Sequence, residues 1–489
     1  RAYFVDVAGA DIDHEVGDAA FARLLAIRLE AKRGSTGGLA GLMRELETLR
    51  DFFASATLVA VVDVPFIALT LLFTALLGGL VVLVPLLMVP VVVISGLAAR
   101  PALDRLSARA MNEGMLKQAV LVEAIGGLEM VKATGAEPLL SERWRAAMHS
   151  HSDSSLKQRL ISTVATSVAT SANSIAYAGI VIVGVFLIAD GTLTTGALVA
   201  CSILGGRALQ PLGQVAQLLS RLGATRSAYQ QLEGLMQLPS EEDGGERLRP
   251  NQLAGKIDFR GVTFAYPGAN EPALAGIDLA IAPGERVALI GKVGSGKSTI
   301  ARLVAGLYSP QDGTVMLDNT DVRQYAPDAL RRQIGMCLQD TSLLSGSVRE
   351  NIRLSRSHID DEEMLRAAEL SGTHSFMGGL ANGYDLKLAD RGEGLSGGQR
   401  QSIALARALA GKPAIVILDE PTSGMDALTE SQLIERLNGE TRGRTLIIIT
   451  HRPALLRLAD RIVLMDKGKV AMQGPRDEML KRLMQQKAA

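Results

Sequence analysis

The stretch that decides the fold of the second half of the chain is Gly291-Lys292-Val293-Gly294-Ser295-Gly296-Lys297-Ser298. It follows the β-rich run Arg286-Val287-Ala288-Leu289-Ile290 and precedes a predicted helix over 299–307. A strand, a glycine-rich turn and a helix in this order form a phosphate-binding loop, because backbone N–H groups without obstructing side chains and the helix N-terminus face one anion. The sequence therefore predicts an α/β domain that binds a nucleotide.

Two side chains of this loop carry specific chemistry. The ammonium of Lys297 is predicted to reach the β- and γ-phosphates, and the hydroxyl of Ser298 is suited to Mg²⁺. ATP and Mg²⁺ are therefore the predicted cofactors. The predicted nucleotide contacts in the loop are Gly291, Gly294, Ser295, Gly296, Lys297, Ser298 and Thr299.

Two carboxylates follow a continuous apolar run further along the chain. The run Ala414-Ile415-Val416-Ile417-Leu418 is typical of a buried parallel strand, and it leads directly into Asp419 and Glu420. Asp419 is suited to the Mg²⁺ shell, and Glu420 is placed to orient or deprotonate an attacking water. Together with the upstream phosphate-binding loop, this pair predicts ATP hydrolysis.

A second short motif, Leu395-Ser396-Gly397-Gly398-Gln399, lies about a hundred residues after the first. With it, residues 255–485 resemble the ATP-binding cassette family. The resemblance implies that this signature loop binds the γ-phosphate of an ATP held by an opposing subunit, and hence a homodimer. N–H groups at the start of a helix, expected from Arg400 onward, form an anion site. The implied contacts are Ser396, Gly397, Gly398 and Gln399.

The resemblance extends to four further positions. Gln339 resembles the family's glutamine that senses Mg²⁺ and faces the membrane domain, and His451 resembles the switch histidine that contacts the γ-phosphate. Tyr266 resembles the aromatic that stacks on adenine, with a core tyrosine as the alternative. Asp426 keeps the family's D-loop aspartate, although the preceding Gly424-Met425 departs from the commoner small-aliphatic pair, and we expect little loss of activity from that departure.

The first half of the chain contains two long segments without lysine or arginine. Residues 52–99 carry Asp63 as their only acidic residue, and residues 160–206 form the second segment. About 20 apolar residues span a hydrocarbon core, so each segment predicts a helical hairpin, with turns at Gly78-Gly79 and 189–192. The predicted membrane helices are 52–77, 80–99, 160–188 and 195–222.

The flanking charges predict the orientation of these hairpins. Residues 1–51 carry seven lysines and arginines and residues 100–159 carry nine, whereas the two turns carry none. By the positive-inside rule, both long flanks and the nucleotide-binding half are cytoplasmic. Buried helices of a large soluble protein are the alternative, which the length of the uncharged runs disfavours.

Three features of the membrane half are candidates for function. Asp63 and Arg207 are ionisable residues within membrane segments, where such groups line a polar path or snorkel to the interface. Residues 100–159 predict two membrane helices that continue into the cytoplasm and return. The corner over 126–137 resembles the family's short coupling helix that docks on the ATPase domain, with a solvated connector as the alternative.

The predicted fold is therefore multidomain: an all-α transmembrane domain over 1–235, a linker over 236–254, and an α/β ATP-binding cassette domain over 255–489. Exporters of this family have six membrane helices per half-transporter, so we expect the two remaining helices to precede Arg1, with residues 5–50 as the first cytoplasmic excursion. The chain does not start with methionine.

The segment from Asp51 to Phe66 resembles the branch of the family that exports peptides and proteins from bacteria. Its closest resemblance is to the permease/ATPase of type I secretion systems, which export RTX-type proteins or adhesins. This resemblance implies a polypeptide substrate, with a membrane-fusion protein and an outer-membrane channel as partners. It also implies that the protein lies in the bacterial inner membrane, in contact with membrane lipid. Many members of that branch also carry an N-terminal peptidase-like domain.

Three other functions are alternatives. A lipid, drug or small-peptide exporter has the same architecture. A soluble cassette ATPase of translation or DNA repair lacks membrane helices and usually carries two cassettes, and a net charge of zero gives no electrostatic footprint for nucleic acid. A non-hydrolytic regulatory cassette conflicts with the presence of both Glu420 and His451.

Overall fold

The computed structural model describes residues 2–31, 57–243, 245–354, 358–380 and 382–488, together with the single positions 39, 41, 43, 49, 52 and 356. The chain divides into two compact units. The first comprises residues 1–27 and 32–240, and the second comprises residues 28–31 and 241–489. Most of the predicted excursion over 5–50, positions 53–56 of the first predicted membrane helix and the side chain of Asp63 lie outside the described residues.

The described part of the first unit is helical. Its helices are α1 Ala2–Ala26, α2 Thr57–Gly78, α3 Leu83–Gly126, α4 Leu128–Thr134, α5 Glu137–Ala189 and α6 Thr195–Met236. Two helical stretches among the described residues, Pro65–Gly126 and Glu137–Ala189, are long and apolar enough to cross a membrane, and Thr195–Ala208 is a shorter apolar helix. The two sequence-predicted hairpins thus correspond to α2 with α3 and to α5 with α6.

The turns of these hairpins lie at the predicted glycine positions. Helix α2 ends at Gly78, and a short 3₁₀ helix, Gly79–Val82, leads into α3. Gly79 has φ +55°, a conformation that costs glycine little because it has no Cβ. Between α5 and α6, the side chain of Thr194 accepts a hydrogen bond from the backbone N–H of Ala197 and so caps α6.

The predicted cytoplasmic return is two continuous helices joined by a short one. Helix α3 runs for 44 residues and α5 for 53, so each extends well beyond the apolar part of its sequence. Helix α4 has seven residues and lies between Gly127 and Gly135, which has φ +64°. A helix this short, set between two glycines, turns the chain back within about ten residues.

Small residues bring the membrane helices into close contact. A Cβ on Gly184 of α5 would lie 2.2 Å from Cδ1 of Leu198 in α6, and a Cβ on Gly205 of α6 would lie 2.2 Å from Cδ1 of Ile180 in α5. Such positions let helix backbones approach closely where no hydrophobic effect drives association. On the outer surface, Leu87 and Phe186 are more than 60% exposed, as expected of side chains that face lipid.

The second unit contains twelve strands among its described residues. They are β1 Ile257–Phe264, β2 Leu274–Ile281, β3 Arg286–Gly291, β4 Asp312–Leu317, β5 Thr320–Asp321, β6 Ile334–Cys337, β7 Gly346–Ser347, β8 Lys387–Leu388, β9 Ile415–Asp419, β10 Thr445–Ile449, β11 Arg461–Asp466 and β12 Lys469–Pro475. The helices between and after them are α7 Lys297–Val304, α8 Pro327–Arg332, α9 Val348–Arg353, α10 Asp361–Ser371, α11 Thr373–Met377, α12 Gly397–Leu409, α13 Ala427–Glu440 and α14 Arg476–Ala488.

These strands form two main sheets. An antiparallel sheet has the order β2-β1-β4-β5, and a six-stranded sheet has the order β12-β11-β3-β10-β9-β6. In the larger sheet all neighbours pair in parallel except β11 and β12. Strands β7 and β8 form a separate pair.

The continuous apolar strands of the larger sheet supply two cores at once. In β9, Ile415 and Ile417 pack in the cluster shared with the antiparallel sheet, whereas Val416 and Leu418 pack in the cluster that contains α12 and α13. Successive side chains of a strand point to opposite faces. Because both faces are covered, the strand has no polar position until it reaches Asp419.

One packing contact in this unit gives a stability prediction. A Cβ on Gly335 of β6 would lie 1.9 Å from the backbone oxygen of Ala408 in α12. We expect Gly335→Ala to destabilise the full chain by about 1–3 kcal/mol, because neither backbone has room to move. The readout is thermal unfolding of the detergent-solubilised protein.

The matched control is Gly439→Ala in α13, where a Cβ would meet nothing within 4 Å. That change is expected to be neutral or to stabilise by roughly 0.4–1 kcal/mol. Equal melting temperatures for the two variants would contradict the packing argument.

Candidate functional site

The phosphate-binding loop joins β3 to α7, as the sequence predicts. Gly291, Gly294 and Gly296 have φ values of +144°, +80° and +98°. A Cβ on Gly291 would lie 2.2 Å from the backbone oxygen of Met465, and one on Gly296 would lie 2.6 Å from that of Ala273. Gly294 faces open space. Two of the glycines therefore allow close backbone packing, and the third leaves the N–H groups accessible to an anion.

Lys297 begins α7 and folds back over the loop. Its Nζ donates hydrogen bonds of 2.8 Å to the backbone oxygens of Gly291 and Lys292. Burial lowers the pKa of its ammonium, and the carboxylates of Asp419 and Glu420 oppose that shift. The cation is thus held at the mouth of the loop beside two acidic groups, where a phosphate would be attracted.

Sheet order brings the other predicted residues to the same edge. Strand β10 lies between β3 and β9, and β9 pairs with β6. The phosphate-binding loop follows β3, His451 lies two residues beyond β10, Glu420 follows β9 and Gln339 lies two residues beyond β6. Because these strands are parallel, their carboxyl ends form one crevice. The fold therefore gathers side chains that lie as far apart in sequence as Lys297 and His451.

Glu420 is the most constrained of these residues. Its backbone has φ +48°, a left-handed conformation that is uncommon for a side chain other than glycine. Its N–H donates to the oxygen of Ile449 at 2.9 Å, and its Oε1 accepts from the backbone N–H of His451 at 2.9 Å. The Nε2 of His451 lies 3.0 Å from the same Oε1. Glutamate and histidine are thus joined as one unit at the sheet edge.

Burial raises the pKa of the Glu420 carboxyl, and His451 opposes this by favouring the charged form. Burial likewise raises the pKa of Asp419, opposed by a hydrogen bond from Ser298 and by the positive charges of Arg302 and Lys297. A carboxylate with a raised pKa is a better proton acceptor than an exposed one. Glu420 is therefore suited to the role of proton acceptor expected from the sequence, and the groups that oppose the shift at Asp419 favour the charged form that a metal ligand needs.

The residues at this edge fit a magnesium ion. Asp419 is 3% exposed, and the hydroxyl of Ser298 at the start of α7 is close enough to lower the pKa of its carboxyl. Mg²⁺ is commonly held by one or two protein oxygens together with phosphate oxygens and waters. Gln339, the third predicted ligand, is exposed after β6. Among the described residues, no cluster of three histidine, cysteine or acidic side chains forms an all-protein metal cage.

Tyr266 lies at the edge of the core and close to α7. Its hydroxyl is 3.1 Å from Oγ1 of Thr299 and accepts a 2.7 Å hydrogen bond from Arg302. Its ring is edge-on to those of Phe264 and Tyr308, with centroids 4.9 and 5.3 Å away. The side chain is half-buried, so it combines the predicted position near the nucleotide loop with packing against the core.

The signature loop opens α12, three residues earlier than the expected helix start at Arg400. The Ser396 hydroxyl accepts from the backbone N–H of Gln399, and Oε1 of Gln399 accepts from the backbone N–H of Ser396. This reciprocal cap fixes the loop geometry and leaves the N–H groups of Gly397 and Gly398 at the helix start. The side chains of Ser396 and Gln399 thus stabilise the start of the helix, in addition to the nucleotide contacts predicted for them.

A cavity of about 580 Å³ lies beside the signature loop. Gln339 and Gly397 line this cavity. Ser423 and Gly424, which belong to the D-loop over residues 423–426, line it as well, and so do the cationic residues Arg391 and Arg400. Among the described residues that line this cavity, none belongs to the phosphate-binding loop. The two motifs of one chain therefore border different spaces.

The D-loop aspartate caps the following helix. Oδ1 of Asp426 accepts from the backbone N–H groups of Leu428 and Thr429, both at 3.0 Å, and Oδ2 accepts from the Thr429 hydroxyl at 2.8 Å. Its predicted nucleotide contact is therefore additional to a capping role that stabilises the start of α13.

Four residues that the sequence reasoning did not single out belong to this region. Arg302 bonds Tyr266, Gln401 contacts the backbone of Glu420, and Thr450 donates to Oε2 of Glu420 at 3.4 Å. Arg452 forms an ion pair of 3.2 Å with Glu430. The available signal for Gln401 was a polar residue on the otherwise apolar face of a helix that begins at a motif.

Comparisons with known proteins match both halves of the chain. The family model described as ABC transporter transmembrane region matches residues 1–206, and the one described as ABC transporter matches residues 274–423. A solved structure of a bacterial Atm1-family ABC exporter with ATP bound superimposes with a TM-score of 0.89 at 26% identity. It covers 98% of this chain and 84% of its own. These matches confirm the expected fold class.

Two curated relatives are similar over almost the entire chain. The cyclolysin secretion/processing ATP-binding protein CyaB of Bordetella pertussis is 34% identical over 483 residues, which is 98% of this chain and 67% of that protein. The leukotoxin translocation ATP-binding protein LktB of Mannheimia haemolytica is 32% identical over 484 residues, again 98% of this chain and 68% of that protein. The chain thus spans about two thirds of the length of these relatives.

The position of Tyr266 generates a prediction about nucleotide affinity. We expect Tyr266→Phe to bind ATP within about twofold of the unchanged protein, because the ring remains. Tyr266→Ala is expected to weaken binding roughly 5- to 100-fold, since base–aromatic stacking is worth about 1–3 kcal/mol. The measurement is titration of the full chain with a fluorescent ATP analogue. A lowered melting temperature for Tyr266→Ala with unchanged ATP affinity would identify Tyr266 as a core residue only.

Proposed function

The chain belongs to the ATP-binding cassette transporter family, and we propose that this exporter moves a polypeptide across the bacterial inner membrane as the permease and ATPase of a type I secretion system. It is a membrane protein with a cytoplasmic ATPase domain, and it couples ATP hydrolysis to transport. The observation that carries the proposal is the similarity to the toxin-export relatives LktB and CyaB, which covers 98% of the chain and both units.

In the proposed reaction, the phosphate-binding loop holds ATP through its N–H groups and Lys297. Ser298, Asp419 and Gln339 would hold Mg²⁺, which neutralises charge between the β- and γ-phosphates when bound. Glu420 orients the attacking water and accepts its proton, and His451 keeps the glutamate carboxylate in place through two contacts. Each role requires only groups that lie at the carboxyl edge of the six-stranded sheet.

We propose that the active form is a homodimer with two ATP molecules at the interface. The cavity beside the signature loop contains no residue of the chain's own phosphate-binding loop among those described. Ser396, Gly397 and Gly398 therefore serve an ATP bound to Lys297 of the partner. Gln399, which shapes the loop through the cap, and Asp426 border the same predicted interface.

In this dimer, ATP binding drives transport because it is thermodynamically linked to the closed conformation. ATP shifts the equilibrium towards the closed form because its γ-phosphate is contacted by both subunits only in that form. Closure is coupled to outward opening of the membrane helices, and hydrolysis removes the bridging phosphate and resets the pair. A membrane-fusion protein and an outer-membrane channel would extend the path beyond the inner membrane, and membrane lipid surrounds the apolar helices.

The catalytic assignment predicts the behaviour of Glu420→Gln. This variant should bind ATP normally and hydrolyse it at least about a hundredfold more slowly, because the amide cannot accept the proton of water. Steady-state phosphate release and retention of radiolabelled ATP by the full chain measure the two effects. Glu435→Gln, on the exposed face of α13, removes the same charge and should leave turnover unchanged. Near-normal turnover of Glu420→Gln would contradict the assignment.

The cargo assignment predicts stimulation of ATP hydrolysis by polypeptide. In proteoliposomes of the full chain, C-terminal segments of candidate secreted proteins should raise the ATPase rate, and scrambled segments of equal composition should not. Glu420→Gln should show no stimulated rate. Stimulation by lipids or hydrophobic small molecules, with none by any polypeptide, would instead support the alternative of a lipid or drug exporter.

A further inference from the structure

One buried amide connects the signature helix to the catalytic glutamate. Gln401 lies in α12, two residues after the signature loop, and is 2% exposed. Its Nε2 donates a 2.5 Å hydrogen bond to the backbone oxygen of Glu420. Its Oε1 accepts from the backbone N–H of Gly424 at 2.9 Å and from Oγ of Ser423 at 3.3 Å. A single side chain thus bonds both the loop after β9 and the D-loop.

The chemistry of these partners fixes the orientation of the amide. The oxygen of Glu420 is only an acceptor and the N–H of Gly424 is only a donor. Rotating the Gln401 amide by 180° would place oxygen against oxygen and N–H against N–H, and the Gln401 side chain and the Glu420 carbonyl are buried. An unmatched buried polar group costs about 1–3 kcal/mol. Gln401 therefore has one low-energy arrangement, which depends on both loops remaining in place.

The contact to Glu420 acts on a strained backbone. Glu420 has φ +48°, and its N–H is bonded to Ile449 of β10. Gln401 holds the carbonyl on the other side of the same residue. Backbone conformations of this kind cost about 1–3 kcal/mol and persist where the surroundings over-determine them. Gln401 supplies that restraint on the Glu420 backbone together with Ile449 and with the N–H of Ser423, which donates to the same carbonyl at 3.2 Å.

The D-loop is also pressed directly against the start of the signature helix. A Cβ on Gly398 would lie 2.7 Å from the oxygen of Gly424, and a Cβ on Gly424 would lie 3.0 Å from the nitrogen of Gly398. Two backbones in such close contact cannot move towards each other, so the signature loop can advance on this side only if the D-loop moves with it. A displacement of the signature loop is therefore passed to the D-loop and, through Gln401, to Glu420.

We propose that Gln401 is a positioning residue that couples the two half-sites within one chain. It links the signature loop, which serves the partner's ATP, to Glu420, which acts on the chain's own ATP. The inference rests on the proposed function, since it requires ATP at both places. When the signature loop engages a γ-phosphate, the amide of Gln401 holds the Glu420 backbone in its hydrolytic position, so that hydrolysis at each site responds to nucleotide at the other.

The test compares two substitutions in the full-length dimer. Gln401→Glu is isosteric and keeps an acceptor for Gly424 but sets a carboxylate oxygen against the Glu420 carbonyl. Gln401→Met keeps the length and loses the three hydrogen bonds to Glu420, Ser423 and Gly424. We expect kcat to fall about tenfold for Gln401→Glu and further for Gln401→Met, with KM for ATP within about twofold of the unchanged protein. The Hill coefficient for ATP should fall from above 1 towards 1.

Gln432→Glu is the control, because it makes the same charge change on the exposed face of α13. If Gln401→Glu matches this control in kcat and Hill coefficient while the unchanged protein hydrolyses ATP, the coupling role is wrong and the proposed function stands. A rise in KM together with a lower melting temperature in both Gln401 variants would show a merely structural role and also overturn it. Absence of ATPase activity in the unchanged protein would instead remove the proposed function, and the inference with it.

Discussion

The parallel pairing of β3, β10, β9 and β6 is the constraint on which the predicted site depends. Each strand ends in a residue or loop with a predicted role, and the register aligns these ends: Ile449 is opposite both Leu289 and Asp419, and Cys337 is opposite Leu418. A slip of one residue in any strand would exchange the two buried faces and move its terminal group away from the crevice. The two hydrophobic cores therefore also set the catalytic geometry.

Electrostatics at this edge are as closely linked as the strands. Lys297, Asp419 and Glu420 are buried close together, where isolated charges would be costly, and the exposed His451 contacts Glu420. Burial shifts the pKa of the lysine down and those of the two carboxyls up. The two carboxylates oppose the shift of the lysine pKa, Lys297 and Arg302 oppose that of Asp419, and the contact with His451 opposes that of Glu420. Neighbouring groups at this edge therefore offset part of the cost of burying these charges.

The motifs made much of this predictable from the sequence. Three features have signals in the local sequence. Glycine spacing marks the strand, loop and helix around 286–304, an apolar run precedes the carboxylates after β9, and long segments without lysine or arginine mark the two membrane hairpins. Contacts between motifs had no such signal. Nothing local to Gln401 indicates that its amide contacts Glu420, and the backbone of Glu420, which has a positive φ, is hydrogen-bonded to Ile449 of a different strand. The sequence analysis likewise assigned Asp426 and Ser396 to nucleotide contacts and did not predict that each caps a helix.

The two long helices of the membrane unit differ in stiffness. Helix α3 contains Pro90 and Pro101, whereas the only proline in α5 stands in its first turn, where it does not break a helical hydrogen bond. At 1.5 Å per residue, α5 is about 80 Å long, compared with a hydrocarbon core of about 30 Å. The part of α5 outside the bilayer is therefore longer than the part within it, and no interior proline interrupts its hydrogen bonds. If α5 tilts by a few degrees about the membrane surface, its end next to α4 moves by several ångströms. A small movement of the helix within the membrane therefore produces a larger displacement at its far end.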